Sequence, residues 1–440
     1  MAVAKTYRKI RPLQLIAVIF FTVSGGPYGL EPLLGYAHEH GALLLLLVTP
    51  ILWDVPAIFT VLELNSMMPV TGGYYQWVKH ALGPRWGFYE GWWTWLYTFA
   101  DLAIYPVLFI EYAAFFYPEM VHYKIPVCLI IIWASAALNV WGIVPVGRAA
   151  LGLGVIVLLP FIILFGVFLY HHQGRFVLPA PSLKGITYPS LGLGIYTVMW
   201  NCFGWDNVTT YAQEVERPAR SYFISVLGAF VLVMLIYFGV IVVAQLSGIN
   251  YKTLADDGLP SLGVLIGGSW LGAIIAIAGM ASTLGMYAAN LLAVSRLPQV
   301  MADDGLMPRH LHDMHPRFKT PYISIIVCSI LISLMCFWDF GDLIIIDVTV
   351  YGAGLFLEYI ALIKLRITEP HRLRPYRIPL GTRWLCALLI LPISVYLLAL
   401  TGVLSSMDKA LKPALFALAA LVSGDIVWRL IWWRKKNVQM

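Results

Sequence analysis

The sequence predicts an all-α polytopic membrane protein, and three observations carry that prediction. Charge is scarce, with only 12% Asp, Glu, Lys and Arg in 440 residues, where a soluble domain has about 25%. Long stretches hold none at all: Leu151–Tyr170, Ser221–Ser247 and Trp384–Met407 lack any Asp, Glu, Lys, Arg or His. Apolar runs of about 18 residues or more are long enough to cross a bilayer as a helix. The mean hydropathy of +0.79 extends the same reading to the whole chain.

Taken in order, twelve spans are expected, at 13–37, 42–66, 86–117, 125–143, 147–170, 191–213, 221–247, 268–296, 321–338, 342–366, 384–404 and 412–433. The first follows the basic "YRKIR" and is interrupted by "SGGP". The second is the run "ALLLLLVTPILWDVPAIFTVLEL", and the third is aromatic-rich and carries three acids, Glu90, Asp101 and Glu111. The fourth and fifth are uninterrupted apolar runs. The outer segment 171–190 joins the fifth to the sixth, where a chain of two five-helix halves would be joined. The sixth is interrupted by "FGWDN". The remaining six are again apolar, with basic clusters after the eighth and tenth.

Those clusters give an orientation. With a cytoplasmic N-terminus, inner segments hold 23 of the 29 Lys and Arg, leaving Lys124, Arg175, Lys184, Lys252, Lys409 and Lys412 outside. This is the positive-inside asymmetry, so the net charge of +6 reports topology and a nucleic-acid partner is not expected. The N-terminal "MAVAKTYRKIR" lacks the cleavage site of a signal peptide and reads as mature sequence. Cys128, Cys202, Cys328, Cys336 and Cys386 lie in apolar runs without ligand or disulfide spacing, and read as small core residues. No metal-ligand spacing, glycine-rich phosphate loop or nucleophile elbow appears, so no cofactor and no enzymatic chemistry is expected.

The two interruptions are the functional signal. Gly, Asn and Asp are poor helix formers, and a charge at the bilayer centre costs at least about 2.5 kcal/mol. Such clusters are tolerated where the backbone faces a cavity. The breaks at Ser24, Gly25 and Gly26 and at Phe203, Gly204, Trp205 and Asp206 each open a five-helix half. Paired interruptions in corresponding places point to a solute site between them, reached by bare amides and carbonyls. A bulky residue at Gly26 or Gly204 is then expected to block transport and leave the protein folded.

Intramembrane acids add to this site. Glu31, Asp54, Asp101, Glu111, Asp206 and Glu358 lie inside spans, whereas Glu63, Glu90 and Asp425 lie nearer span ends, where snorkelling or loop pairing accounts for them. Asp101 and Glu111 are separated by about 15 Å on neighbouring faces of one helix, placing Asp101 at mid-depth and Glu111 near the outer mouth. Asp54 reads equally well as a helix-packing group. No histidine sits at a helix centre, so Glu31, Asp101 and Asp206 are the candidates for a coupling ion. Tyr28, Tyr105, Trp200, Phe203 and Trp205 flank the acids, and ring faces attract cations. Together these favour a cationic solute.

The same residues carry a resemblance. The stretches "VSGGPYGLE", "ELNSMMPVTGGYYQWVKHALGPRWGFYEGWW", "DLAIYPVLFIEY", "WDNVTTYAQEVERP", "MADDGLMPRHL", "LEYIALIKLR" and "RPYRIPLG" are similar to the amino acid–polyamine–organocation superfamily over essentially the whole chain. Within it, the sequence most resembles plant-type polyamine uptake transporters, in the group related to L-type amino acid transporters. That resemblance implies a LeuT-type fold of 12 transmembrane helices. A 5+5 inverted repeat (13–170 and 191–366), with helices 1 and 6 discontinuous, would be followed by two additional helices (384–433). It also implies that Ser24, Gly25 and Gly26 face Phe203, Gly204, Trp205 and Asp206 across a substrate. In amino acid carriers of this kind the helix 1 amides take the substrate carboxylate, a group polyamines lack. The expected function is import of small organic cations by a plasma-membrane carrier with cytoplasmic termini, coupled to protons or to sodium. Some relatives place a lysine in helix 5 where others bind sodium; Leu151–Tyr170 has none. An amino acid permease is the alternative within transport, and a non-transporting solute sensor is the alternative of another class.

Overall fold

A computed structural model describes residues 9–172, 177, 180–338, 340–405 and 407–438. Among these residues all regular structure is helical, and extended backbone pairs only in two isolated bridges, Ile10 with Val215 and Thr71 with Tyr211. The α-helices run in order α1 (Pro12–Val23), α2 (Pro32–Leu52), α3 (Asp54–Met67), α4 (Gly73–Leu82), α5 (Pro84–Ala114), α6 (Lys124–Trp141), α7 (Ile143–His172) and α8 (Tyr188–Cys202). They continue as α9 (Pro218–Leu246), α10 (Tyr251–Asp257), α11 (Leu259–Gly267), α12 (Ser269–Val294), α13 (Arg296–Asp303), α14 (Tyr322–Met335), α15 (Phe340–Thr368), α16 (Thr382–Leu404) and α17 (Met407–Val438).

Nine helical stretches among the described residues are long and apolar enough to cross a membrane. They coincide with nine of the expected spans. The other three are those at 13–37 and 191–213, which are broken, and that at 321–338, whose helix α14 has 14 residues.

The first break forms because α1 runs out at Val23. The N–H groups of Ser24 and Gly25 both turn back to the Phe20 carbonyl, at 2.9 and 2.8 Å. Gly25 and Gly26 then take φ +62° and +109°, the left-handed region that glycine enters without a Cβ clash. Helix resumes at Pro32, whose missing N–H costs nothing in a first turn. It continues through a kink at His38 (φ 54°) into the next span. The loop expected between spans one and two is therefore reduced to the non-helical junction at His38, where two helices meet.

The second break corrects the expected span 191–213. Helix ends at Cys202, Phe203 is extended, and Gly204 takes φ +90°. Beyond it come two 3₁₀ turns, Asn207–Thr210 and Ala212–Glu214. Thr209 and Thr210 donate their hydroxyls to the Asp206 and Asn207 carbonyls, at 2.7 and 2.9 Å. Such side-chain competition for carbonyls favours the tighter i to i+3 turn. Residues 248–267, expected as a loop, fold into α10 and α11. Asn250 caps α10 by accepting from Lys252 N–H at 2.9 Å.

At the centre α5 packs most extensively on α15 and then on α12. α5 and α15 run antiparallel, since Tyr97 meets Tyr351 and Glu90 reaches Gly354. Apolar burial drives little helix association in lipid, so close approach and polar contacts hold the bundle. A Cβ on Gly192 of α8 would come within 2.7 Å of the Val403 nitrogen on α16. Glu63, fully buried, ion-pairs with Arg366 and lies 3.4 Å from Arg374, joining α3 to the end of α15. The pairing expected for Glu63 and Asp425 is present, the latter with Arg85 at 2.7 Å and Arg429 at 2.6 Å. Glu90 differs. It is 1% exposed and, among the described residues, its hydrogen-bond donor is Thr94 at 3.4 Å, so snorkelling does not account for it.

Candidate functional site

The two breaks lie against each other. A Cβ on Gly204 would sit 3.4 Å from the Thr22 carbonyl at the end of α1. Asn201, in the last turn of α8, donates to the Gly29 carbonyl at 3.1 Å. The Tyr237 hydroxyl of α9 donates to the Asn201 carbonyl at 2.7 Å and meets Ser24 Oγ at the same distance. One tyrosine thus ties both unwound segments. α12 braces the first from the other side, Ser282 donating to the Gly25 carbonyl at 2.5 Å and Asn290 to that of Thr22 at 3.3 Å.

Asn290 also donates to the Tyr105 hydroxyl (3.1 Å), which donates to Asp101 Oδ1 (2.6 Å). Asp206 is held in the same manner: Gly204 N–H donates to the Tyr351 hydroxyl at 3.2 Å, and that hydroxyl donates to Asp206 Oδ1 at 2.8 Å. Phe203, Tyr97 and Tyr351 form an aromatic cluster beside these acids, with Phe203 and Tyr351 centroids 4.5 Å apart. Asp101 and Asp206 are 2% and 3% exposed. Both lie apart from every ion pair found among the described residues.

One expectation fails here. The three amides that open the first break are not bare: those of Ser24 and Gly25 bond to the Phe20 carbonyl, and that of Gly26 donates to Ser24 Oγ at 3.1 Å. No cradle of free N–H groups is left there for a carboxylate.

The expected site residues separate into three groups. Ser24, Gly25, Gly26, Phe203, Gly204, Asp206, Asp101 and Tyr105 come together around the breaks. Trp200 packs on Gly29, where a Cβ would come within 2.4 Å of its ring. Trp205 turns away, donating its indole N–H to Asp54 Oδ1 at 3.2 Å and setting its ring against Phe230. The packing reading of Asp54 fits that contact.

Glu31, Glu111 and Tyr28 belong elsewhere. Glu31 and Glu111 line a cavity of about 1090 Å³ with Tyr112, Asn250, Asp257 and Ser261. Glu31 accepts from the Tyr112 hydroxyl at 3.0 Å and from Leu259 N–H at 3.4 Å, anchoring α11. Tyr28 donates to the Ile275 carbonyl at 2.9 Å, with its ring edge-on to Tyr112 and Phe161. Its ring is packed among neighbours.

Sequence reading missed Asp347, Glu90, Tyr97, Tyr237 and Tyr351. Asp347 had a signal, an acid inside the run "LIIIDVTVYG". The tyrosines had none, because the chain holds 24 of them and only packing selects these three.

Comparison with known proteins decides the family. The amino acid permease family matches residues 10–422. The chain belongs to that family, within the amino acid–polyamine–organocation superfamily. Among curated relatives, the polyamine transporter RMV1 of Arabidopsis thaliana is 32% identical over 424 residues, covering 96% of this chain and 84% of the relative. The polyamine transporter PUT1 of Oryza sativa subsp. japonica is 32% identical over 435 residues, covering 96% and 78%. An uncharacterized transporter of Mycobacterium tuberculosis is 26% identical over 304 residues, covering 68% and 67%. The permease is thus a multi-pass membrane protein of a transporter family, and these names point to transport of a small molecule and away from enzymatic catalysis.

Proposed function

We propose that this permease imports small organic cations, polyamines foremost, by alternating access. The observation that carries the reading is the pairing of satisfied amides at the first break with buried, cation-free acids around it. A bound carboxylate would find no free donor at Ser24–Gly26. A bound ammonium would find Asp101 and Asp206, each already oriented by a tyrosine. Buried charges need partners, and two separated anionic points suit a diamine better than a monoamine. The ring faces of Phe203 and Tyr351 add cation–π attraction of about 0.5–2 kcal/mol each. Glu31 and Glu111 at the wide cavity serve as the outer capture point.

The architecture proposed for this work is the LeuT type, with twelve spans, repeats at 13–170 and 191–366 and two helices at 384–433. The breaks at Ser24–Gly29 and Phe203–Asp206 support it by opening the two halves. The basic-residue asymmetry supports cytoplasmic termini, and residence in the plasma membrane is proposed with them. Coupling to protons is favoured over sodium because carboxyls, the groups able to carry a proton, line the breaks.

The test is uptake into proteoliposomes of labelled putrescine, spermidine, leucine and arginine, with and without a proton gradient. Saturable, gradient-driven putrescine or spermidine uptake is expected. Uptake of leucine alone would overturn the cation reading in favour of an amino acid substrate.

A further inference from the structure

Two helices carry one pattern in opposite directions. α5 reads Glu90-x3-Thr94-x2-Tyr97-x3-Asp101, and α15 reads Asp347-x3-Tyr351-x2-Gly354-x3-Glu358. Steps of four, three and four hold each set on a single helix stripe. Because the helices are antiparallel, the stripes meet in register. Tyr97 faces Tyr351 with ring centroids 5.4 Å apart. Glu90 Oε1 lies 3.0 Å from where a Cβ on Gly354 would stand. Asp347 lies within electrostatic reach of Asp101, and Glu358 within reach of Glu90 and beside Asp206. The end rungs are eleven residues apart on both helices, about 16 Å.

All five acids are at most 3% exposed. Glu90 Oε2 and both oxygens of Glu358 meet no donor within hydrogen-bond geometry among the described residues, and the donor beside Asp347 is the neutral Trp200 indole. The titratable groups facing the seam are Tyr74 on α4, Tyr97 and Tyr105 on α5, Tyr351 and Tyr359 on α15 and Asp54 on α3. None is a cation. α17 also packs against both helices, and its Asp425 and Arg429 are engaged with each other and with Arg85 near the start of α5. Facing carboxyls in a dry interface cannot both be charged without a positive partner. Among the described residues no three acids converge closely enough to hold a metal ion.

We propose that the α5–α15 contact is a proton seam, in which the rungs Asp101–Asp347 and Glu90–Glu358 each hold a proton and exchange it through Tyr97, Tyr351 and Asp206. The proposal rests on the reading of the chain as a coupled carrier and adds the path of its coupling ion. Each transfer breaks one O–H bond and makes one on the next oxygen. One proton enters at one rung and one leaves at the other, with no other change. Tyr351 is the central relay, since its hydroxyl already donates to Asp206 at 2.8 Å.

The experiment uses the full chain in liposomes containing a pH-sensitive dye and reads two quantities, solute-driven proton movement and labelled-solute counterflow without a gradient. Glu358→Gln, which keeps shape and removes only an acid, is expected to cut proton movement at least tenfold and leave counterflow within about twofold of wild type. Glu90→Gln should follow it, so the result does not depend on one variant folding. Wild-type proton movement in these variants would overturn the seam. So would equal loss of both quantities in folded protein, or a wild-type carrier that moves solute without protons. If leucine and not putrescine is the solute, yet Glu358→Gln still uncouples, the cation reading fails and the seam stands.

Discussion

Asp101 and Asp206 each accept from a tyrosine hydroxyl, and no basic side chain among the described residues pairs with either. Losing the charge at either should therefore affect a cationic solute far more than a neutral one. Asp101→Asn and Asp206→Asn are expected to weaken putrescine uptake at least tenfold, equivalent to about 1.4 kcal/mol of binding, with leucine transport much less affected. Calorimetric titration checks this directly, and normal putrescine binding by both variants would remove the acids from the site. The backbone angles of the glycines add a stability cost to the transport block expected from the sequence. At φ +109° for Gly26 and +90° for Gly204, any L-residue is strained by about 1–2 kcal/mol. A leucine there is expected to cost stability as well as transport. Gly204→Ala separates the two: its Cβ would meet Asn207 Nδ2 at 3.3 Å and the Thr22 carbonyl at 3.4 Å. It should fold with a lowered melting temperature, whereas Gly25→Ala, at 2.4 Å from Met286, should be worse.

Among the elements, the end of α15 is fixed by a buried ionic knot. Arg366 pairs with Glu63 and also donates to the Ile378 carbonyl at 3.0 Å, while Ile378 N–H donates to Glu63 Oε2 at 2.8 Å. Removing one partner of such a pair leaves the other charge buried, at a cost of about 3–5 kcal/mol. Glu63→Gln should accordingly unfold far earlier in detergent melts than wild type. Asp425→Asn serves as the contrast, because its partner Arg85 is 53% exposed and exposed pairs contribute about 1 kcal/mol or less. Equal melting of the two variants would show that the knot does not stabilise α15. The helix pair α8–α16 depends on size instead of charge. Gly192→Leu would drive a side chain into the backbone of Gly402 and Val403 and should separate the two helices.

For the molecule as a whole, orientation is the property still to be measured. In a background with the native cysteines replaced, Lys184→Cys should react with an impermeant maleimide from outside intact cells. Leu373→Cys, 82% exposed in the turn after α15, should react only after permeabilisation. The opposite pattern would invert the topology. The alternating-access reading also needs the breaks to be hinges. The polar contacts from Tyr237, Asn290 and Tyr351 to unwound backbone are the ones that must change when the carrier opens.

Hydropathy and glycine placement alone determined the helical class, nine apolar spans and the positions of both interruptions. These are local properties: an uncharged run of twenty residues has few ways to satisfy its backbone except as a helix, and "SGGP" or "FGWDN" cannot continue one cheaply. Local chemistry also marked Asp101 and Asp206. The sequence did not reveal that two helices meet at His38 without a loop, that Tyr251–Asp257 and Leu259–Gly267 are helical, or that the amides of Ser24, Gly25 and Gly26 are already bonded. Nor did it bring Asp347 and Glu90 into the company of the acids at the breaks. Those facts depend on which carbonyl, hydroxyl or glycine a distant helix brings within three ångströms. The mirrored stripes of α5 and α15 show the difference plainly. Both were present in the sequence, but two patterns more than two hundred residues apart acquire meaning only when antiparallel packing sets them in register.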